Sequence, residues 1–274
     1  MNKYIKIIIY ILIVVVLAIC AFYLYKHIST KIGASASKKA LSSKAIALFA
    51  SVDTLEKQGD FIRAKQICQD FLYEHPDSEN TQQLQNKIAS LNIGILFSSI
   101  PTQDSQTYEV APGDSLEKIA KKFGTTVELI KKANNLSGVI RPGMRLKVQN
   151  KPFVITIDKS QNILTLISGK EVIKVYTVST GKNNSTPTGT FKIVNKLIDT
   201  PWYSAKGVIP PESPEYVLGS RWMGIDRPGY GIHGTNDPGS IGSQCTEGCV
   251  RMYNPDVEEL YTIVPQGTEV TIID

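Results

Sequence analysis

Tyr230-Gly231-Ile232-His233-Gly234-Thr235 opens, and Ser243-Gln244-Cys245-Thr246-Glu247-Gly248-Cys249-Val250-Arg251 closes, a stretch whose middle contains Gly239 and Gly242. A free cysteine thiol has a pKa of about 8.5 and needs a neighbouring base or positive charge to become a nucleophile at neutral pH. The stretch supplies a histidine within loop-closing distance. Tyr230 to His233 reads as a strand end, and the glycines after it let the chain fold back. Beyond Cys249, Asn254 suits an N-cap, Pro255 the first helical position and Asp256 the positive helix start. Val257, Leu260, Tyr261 and Val264 follow at helical spacing and predict one buried face. A helix starting just downstream, together with Arg251, is expected to favour the Cys249 thiolate and an oxyanion. On these residues alone, a loop histidine and an inert buried cysteine remain an equal alternative.

Upstream, residues 153–158, 163–167 and 172–178 alternate apolar and polar positions, with turn residues between them. This predicts a β meander closing on itself, in a sandwich or barrel-like fold. Between Thr200 and Arg227 the prolines 201, 210, 211 and 214 lie among Trp202, Tyr203, Tyr216 and Trp222. That composition predicts a stiff loop or flap beside the cleft. For Trp222, core packing is the competing reading.

Tyr230-Gly-Ile-His-Gly-Thr, Thr246-x-Gly-Cys-Val-Arg-Met, Asn254-x-Asp-Val and Leu260-Tyr261 together resemble the L,D-transpeptidase catalytic domain, the YkuD family. Thr186-Pro187-Thr188-Gly189-Thr190-Phe191 and Gly267-Thr268-x-Val270-x-Ile272 are similar to two further family motifs, so the resemblance spans residues 152–274. Glu247 departs from the pattern, since many members carry histidine there, and is expected to tune substrate choice. The resemblance implies a mostly-β domain with Cys249 as nucleophile and His233 as its base. The Gly234 carbonyl would orient the imidazole, and the N–H groups of Gly248 and Cys249 would form the oxyanion hole. Arg251 would steer the acidic stem peptide or hold the loop, while Tyr230, Thr246, Glu247 and Trp222 would contact substrate. The implied reaction is attack on the third-residue carbonyl of a peptidoglycan stem tetrapeptide, release of D-alanine, and transfer of the acyl group to an amine to give a 3-3 cross-link. No cofactor is implied. An L,D-carboxypeptidase and a non-catalytic peptidoglycan-binding anchor are the alternatives. A metal site of His233, Cys245 and Cys249 lacks a fourth ligand and matches no zinc spacing.

Residues 106–150 read as strand, helix, helix, strand. Asp114 and Thr125 are expected caps, each with a glutamate three residues on, and Leu116, Ile119, Ala120 and Phe123 form an apolar stripe. Tyr108-x-Val110-x-Pro112-Gly113-Asp114-Ser115-Leu116, Asn134-Asn135-Leu136 and Pro142-Gly143-x-x-Leu146 together resemble a LysM module. The resemblance implies binding of N-acetylglucosamine-containing glycan strands through a loop including Gly113, Asp114, Ser115 and Leu116.

Residues 38–96 are helical by composition. Gly59-Asp60-Phe61-x-x-Ala64, followed by Cys68, Phe71 and Pro76, resembles a single tetratricopeptide-type repeat. One such unit rarely buries its own core, so a protein partner for the segment stays open. Within residues 1–37, the chain from Ile7 to Tyr25 is apolar throughout, long enough at about 1.5 Å per helical residue to cross a bilayer. An uncleaved single-pass anchor is expected, with the rest of the chain extracytoplasmic. Flanking charge argues the other way, Lys3 and Lys6 before the span against Lys26, Lys31, Lys38 and Lys39 after it; the orientation follows from the wall-facing substrate. The chain has 274 residues and a net charge of +5 whose basic excess lies outside the C-terminal domain, in no nucleic-acid-binding stripe. Four cysteines at these spacings form no disulfide framework.

Overall fold

The computed structural model describes residues 43–204 and 207–274. They belong to two compact units, one ending at Gln85 and the other running from Asn86 to Asp274. The expected span from Ile7 to Tyr25 lies outside the described residues; among those described, no helix is long and apolar enough to cross a membrane.

The first unit holds α1 (residues 43–57) and α2 (Phe61–Glu74). Gly59, at φ +79°, makes the turn between them, and the Asp60 carboxylate accepts the Arg63 N–H at 3.2 Å to cap α2. Ala64, Cys68 and Phe71 recur at helical spacing and are buried, so Cys68 is a small core residue. The second unit begins within α3 (Thr81–Leu96).

A βααβ module follows: β1 (Ser105–Glu109), α4 (Leu116–Phe123), α5 (Val127–Ala133) and β2 (Arg145–Gln149). β1 and β2 pair antiparallel from Ser105↔Gln149 to Glu109↔Arg145. Both helices start one residue later than the sequence predicts. Ser115 accepts the Lys118 N–H at 3.3 Å and Thr126 accepts the Leu129 N–H at 2.9 Å. Asp114 is spent instead on the turn, accepting from Tyr108 Oη at 2.7 Å and from the Ala111 N–H at 2.8 Å. The module is seated firmly on the domain after it. Leu129 of α5 is buried in that domain's core, and the Thr126 hydroxyl donates to the Thr262 carbonyl at 2.5 Å. Lys147 of β2 is buried and gives its ammonium to the carbonyls of Ile95 and Ser98 at 2.7 and 2.8 Å. Burial pushes its pKa down to about 8.

The C-terminal domain comprises β3 (Phe153–Asp158), β4 (Ile163–Ser168), β5 (Glu171–Thr177), β6 (Thr180–Gly181), β7 (Gly189–Ile198), β8 (Trp202–Ser204), β9 (Gly207–Ile209), β10 (Arg221–Ile225), β11 (Gly231–His233), β12 (Gln244–Thr246), β13 (Val250–Arg251), α6 (Asn254–Ile263) and β14 (Glu269–Ile273). Eight of these strands form one sheet in the order β13-β11-β10-β7-β14-β3-β4-β5. β3 and β4 alternate buried and half-buried residues without a break, which fixes their register. The predicted meander is β3-β4-β5, but it does not close on itself. β14 inserts between β3 and β7, pairing parallel with the former and antiparallel with the latter. Closure comes two residues past β5, where Ser179 bridges Arg251 of β13 through two backbone hydrogen bonds of 2.8 and 2.9 Å. The two edges of the sheet are thus tied together at Arg251. Val257, Leu260 and Ile263 of α6 join the buried core with Ile155, Leu164, Met223, Ile232 and Val270. The proline-rich stretch forms the β8–β9 hairpin over a small separate cluster of Ile209, Tyr216 and Leu218, against which Trp202 and Trp222 pack.

Candidate active site

β11 and β13 run parallel, with Ile232 opposite Val250 and His233 opposite Arg251. One residue back along the same register, Cys249 stands level with Gly231. Side chains two apart on a strand share a face, so Cys249 and His233 project from the same side of adjacent strands. Contacts agree with this placement: Cys249 Sγ lies 3.5 Å from the Gly229 carbonyl, and the Gly231 backbone hydrogen-bonds to the thiol.

His233 is buried, and its Nδ1 lies 2.7 Å from the Gly234 carbonyl. A carbonyl can only accept, so Nδ1 carries the proton and Nε2 is the basic nitrogen of the neutral ring. The Trp222 indole stacks on the imidazole at 5.9 Å between centroids and 21° between planes. Gly231 makes room for it, since a Cβ there would sit 2.7 Å from the indole. Burial drives the His233 pKa down to about 4 against the pull of the Gly234 carbonyl; the Arg251 charge lowers it and the Leu218 carbonyl opposes. Burial likewise pushes the Cys249 thiol up, with the Gly231 backbone and Arg251 offsetting part of the rise. At Cys249 desolvation outweighs Arg251, so burial works against the thiolate expected from the sequence.

The loop before Cys249 is tightly specified. Gly248 sits at φ +134°, and a Cβ on it would come 2.6 Å from Tyr230 Cε1. The Gly248 N–H, expected in the oxyanion hole, is given to Thr246 Oγ1 at 3.1 Å, and that hydroxyl donates to the Cys249 carbonyl at 2.6 Å. Thr246 is buried, so it shapes the loop and is not open to substrate as expected. Trp222 is half-buried, with its face on His233 and its Nε1–H on Asn195 Oδ1 at 3.0 Å. Glu247 is exposed and pairs with Lys182 at 2.6 Å. Arg251 donates to Ser240 Oγ at 2.9 Å, and its Nε is buried without a partner among the described residues.

Residues 152–272 match the L,D-transpeptidase catalytic domain (YkuD) and residues 108–149 the LysM domain. The chain is 37% identical over 175 residues to the "Putative L,D-transpeptidase YkuD" of Bacillus licheniformis, covering 60% of this chain and 97% of the relative. The chain belongs to the YkuD family of L,D-transpeptidases, and it is an enzyme. The protein of the same name from Bacillus subtilis is 35% identical over 174 residues, covering 61% of this chain and 98% of that one. A solved L,D-transpeptidase from Mycobacterium smegmatis overlaps 48% of this chain and 64% of its own length, with 22% identity and a TM-score of 0.40.

Within this L,D-transpeptidase, the residues expected to bind glycan in the LysM module have largely structural tasks. Leu116 is buried in the module's core, Ser115 caps α4, and Gly113 turns the chain at φ +83°.

Asn254 is the residue whose role sequence reasoning missed. It does not cap α6, whose cap position is Tyr253. Its Oδ1 accepts from the Ser220 N–H at 3.2 Å and the Thr235 N–H at 2.9 Å, and Gly219 and Gly234 crowd so close that neither tolerates a Cβ. It thereby fixes the turn carrying the Gly234 carbonyl that orients His233. Asn254→Ala leaves two part-buried donors unpaired and is expected to destabilise the fold by about 1–3 kcal/mol, read as a lower urea midpoint.

Proposed function

We propose that the chain is a membrane-anchored peptidoglycan L,D-transpeptidase that makes 3-3 cross-links. The LysM module holds the glycan strand, and the N-terminal apolar segment keeps the enzyme at the outer face of the cytoplasmic membrane. The helical segment serves as a stalk and a surface for a protein partner. Cys249 Sγ attacks the third-residue carbonyl of a stem tetrapeptide while its proton passes to His233 Nε2. The Cys249 N–H receives the developing oxyanion, because the Gly248 N–H is already committed to Thr246. Collapse expels D-alanine, whose amine takes the proton back from His233, and leaves a thioester on Cys249. An amine of a second stem then displaces the thiol, again with His233 as base, to form the new amide. Glu247 and Lys182, exposed beside the nucleophile, face the arriving peptides and tune their choice.

The register that sets Cys249 level with Gly231, on the face of a His233 whose Nδ1 is already engaged, supports this reading most directly. Full-length protein incubated with disaccharide-tetrapeptide should release D-alanine and yield a cross-linked dimer by mass spectrometry. A tripeptide product alone would make it a carboxypeptidase, and unchanged substrate would end the acyl-transfer reading.

A further inference from the structure

Cys249 follows a glycine whose backbone freedom leaves the peptide between them without side-chain restraint. That peptide supplies the N–H assigned above to the oxyanion, so something must hold its plane. Thr186, 2% exposed, does so: its hydroxyl accepts the Gly181 N–H at 2.7 Å and donates to the Gly248 carbonyl at 2.9 Å. With one bond accepted and one donated, the hydroxyl proton has a single place to be. Thr186 is fixed in turn by Lys159, 3% exposed, whose ammonium donates to the Thr186 carbonyl at 3.0 Å and pairs with the Asp274 carboxylate at 2.8 Å. In a planar trans peptide the N–H points opposite to the C=O. Anchoring the Gly248 carbonyl on Thr186 therefore turns the Cys249 N–H to the opposite side.

We propose that Thr186 is a positioning residue that aims the Cys249 N–H at the oxyanion of the reacting carbonyl, with Lys159 holding Thr186 in place. The inference rests on the acyl-transfer reading above. It separates two reactions of the same thiol. Acylation by p-nitrophenyl acetate passes through a tetrahedral oxyanion and expels p-nitrophenolate. Alkylation by iodoacetamide displaces iodide at a saturated carbon and needs no oxyanion donor, although it needs the same thiol and the same base.

In the full chain, Thr186→Val is expected to slow the p-nitrophenolate burst about 30-fold, below the loss for deleting a donor outright, while iodoacetamide alkylation stays within about twofold and Thr186→Ser acylates within about threefold of the parent. Thr186→Ala gives the same comparison without added bulk, should the valine variant not fold. Equal losses with both reagents, unchanged acylation, or failure of serine to restore it would each overturn the assignment. A parent protein that gives the burst but releases no D-alanine from tetrapeptide would refute the proposed substrate, leaving the Thr186 comparison intact.

Discussion

Cys249→Ala is expected to abolish D-alanine release from disaccharide-tetrapeptide, with a fall of about 10⁴-fold or more in turnover, since removing the nucleophile leaves only binding and donors that stabilise no covalent step. The other thiol near the site is poorly placed to replace it. Cys245 is exposed on β12, its Sγ 3.7 Å from the Ser240 carbonyl and 4.0 Å from an Arg251 nitrogen. Cys245→Ala should accordingly turn over at close to the parent rate. Peptidoglycan pull-down should be unaffected by Cys249→Ala, because the LysM core of Val110, Leu116, Ile119, Ile130 and Leu146 is separate from the thiol. Activity surviving in Cys249→Ala would remove the thioester from the mechanism.

How far the site could be read from the sequence depends on how local each determinant is. The proposed nucleophile and base are bracketed by local strand, loop and helix signals, but those signals left an inert cysteine equally open, and the ordered motifs that resemble the family decided between the two. The LysM helices were legible from local cap and spacing signals, although their caps fall one residue late, at Ser115 and Thr126. With acceptors at both Asp114 and Ser115, and at both Thr125 and Thr126, only the surrounding turn decides which one caps. The long-range parts were hidden. Nothing local says that β14 slips between β3 and β7, that Ser179 closes the sheet onto Arg251, or that Asn254 reaches the turn at Gly234. The protonation state was hidden as well. Arg251 is visible as a charge, but the burial that outweighs it at Cys249 is a property of the closed sheet.

That burial gives His233→Gln a double signature. As the base, His233 is expected to contribute about 10³-fold or more to D-alanine release, so the variant should lose most activity while its Cys249 remains present. The second signature is in stability. The unfolded chain binds a proton on His233 below about pH 6.5, whereas the folded protein refuses it until about pH 4. Between those values the unfolded state holds more protons, so folding stability rises with pH there and is lost on acidification. A depression of this size corresponds to about 3 kcal/mol across the window, the full contribution being present above pH 6.5. Urea midpoints taken from pH 7 down to pH 4 should therefore fall more steeply for the parent than for His233→Gln, the carboxylates being common to both. Parallel curves would mean that the imidazole is not desolvated in the fold. The same burial governs the rate profile. With His233 neutral across the working range and the thiol pushed up, iodoacetamide alkylation of Cys249 should keep rising past pH 9. A plateau near pH 7 would signal the thiolate–imidazolium pair that burial disfavours.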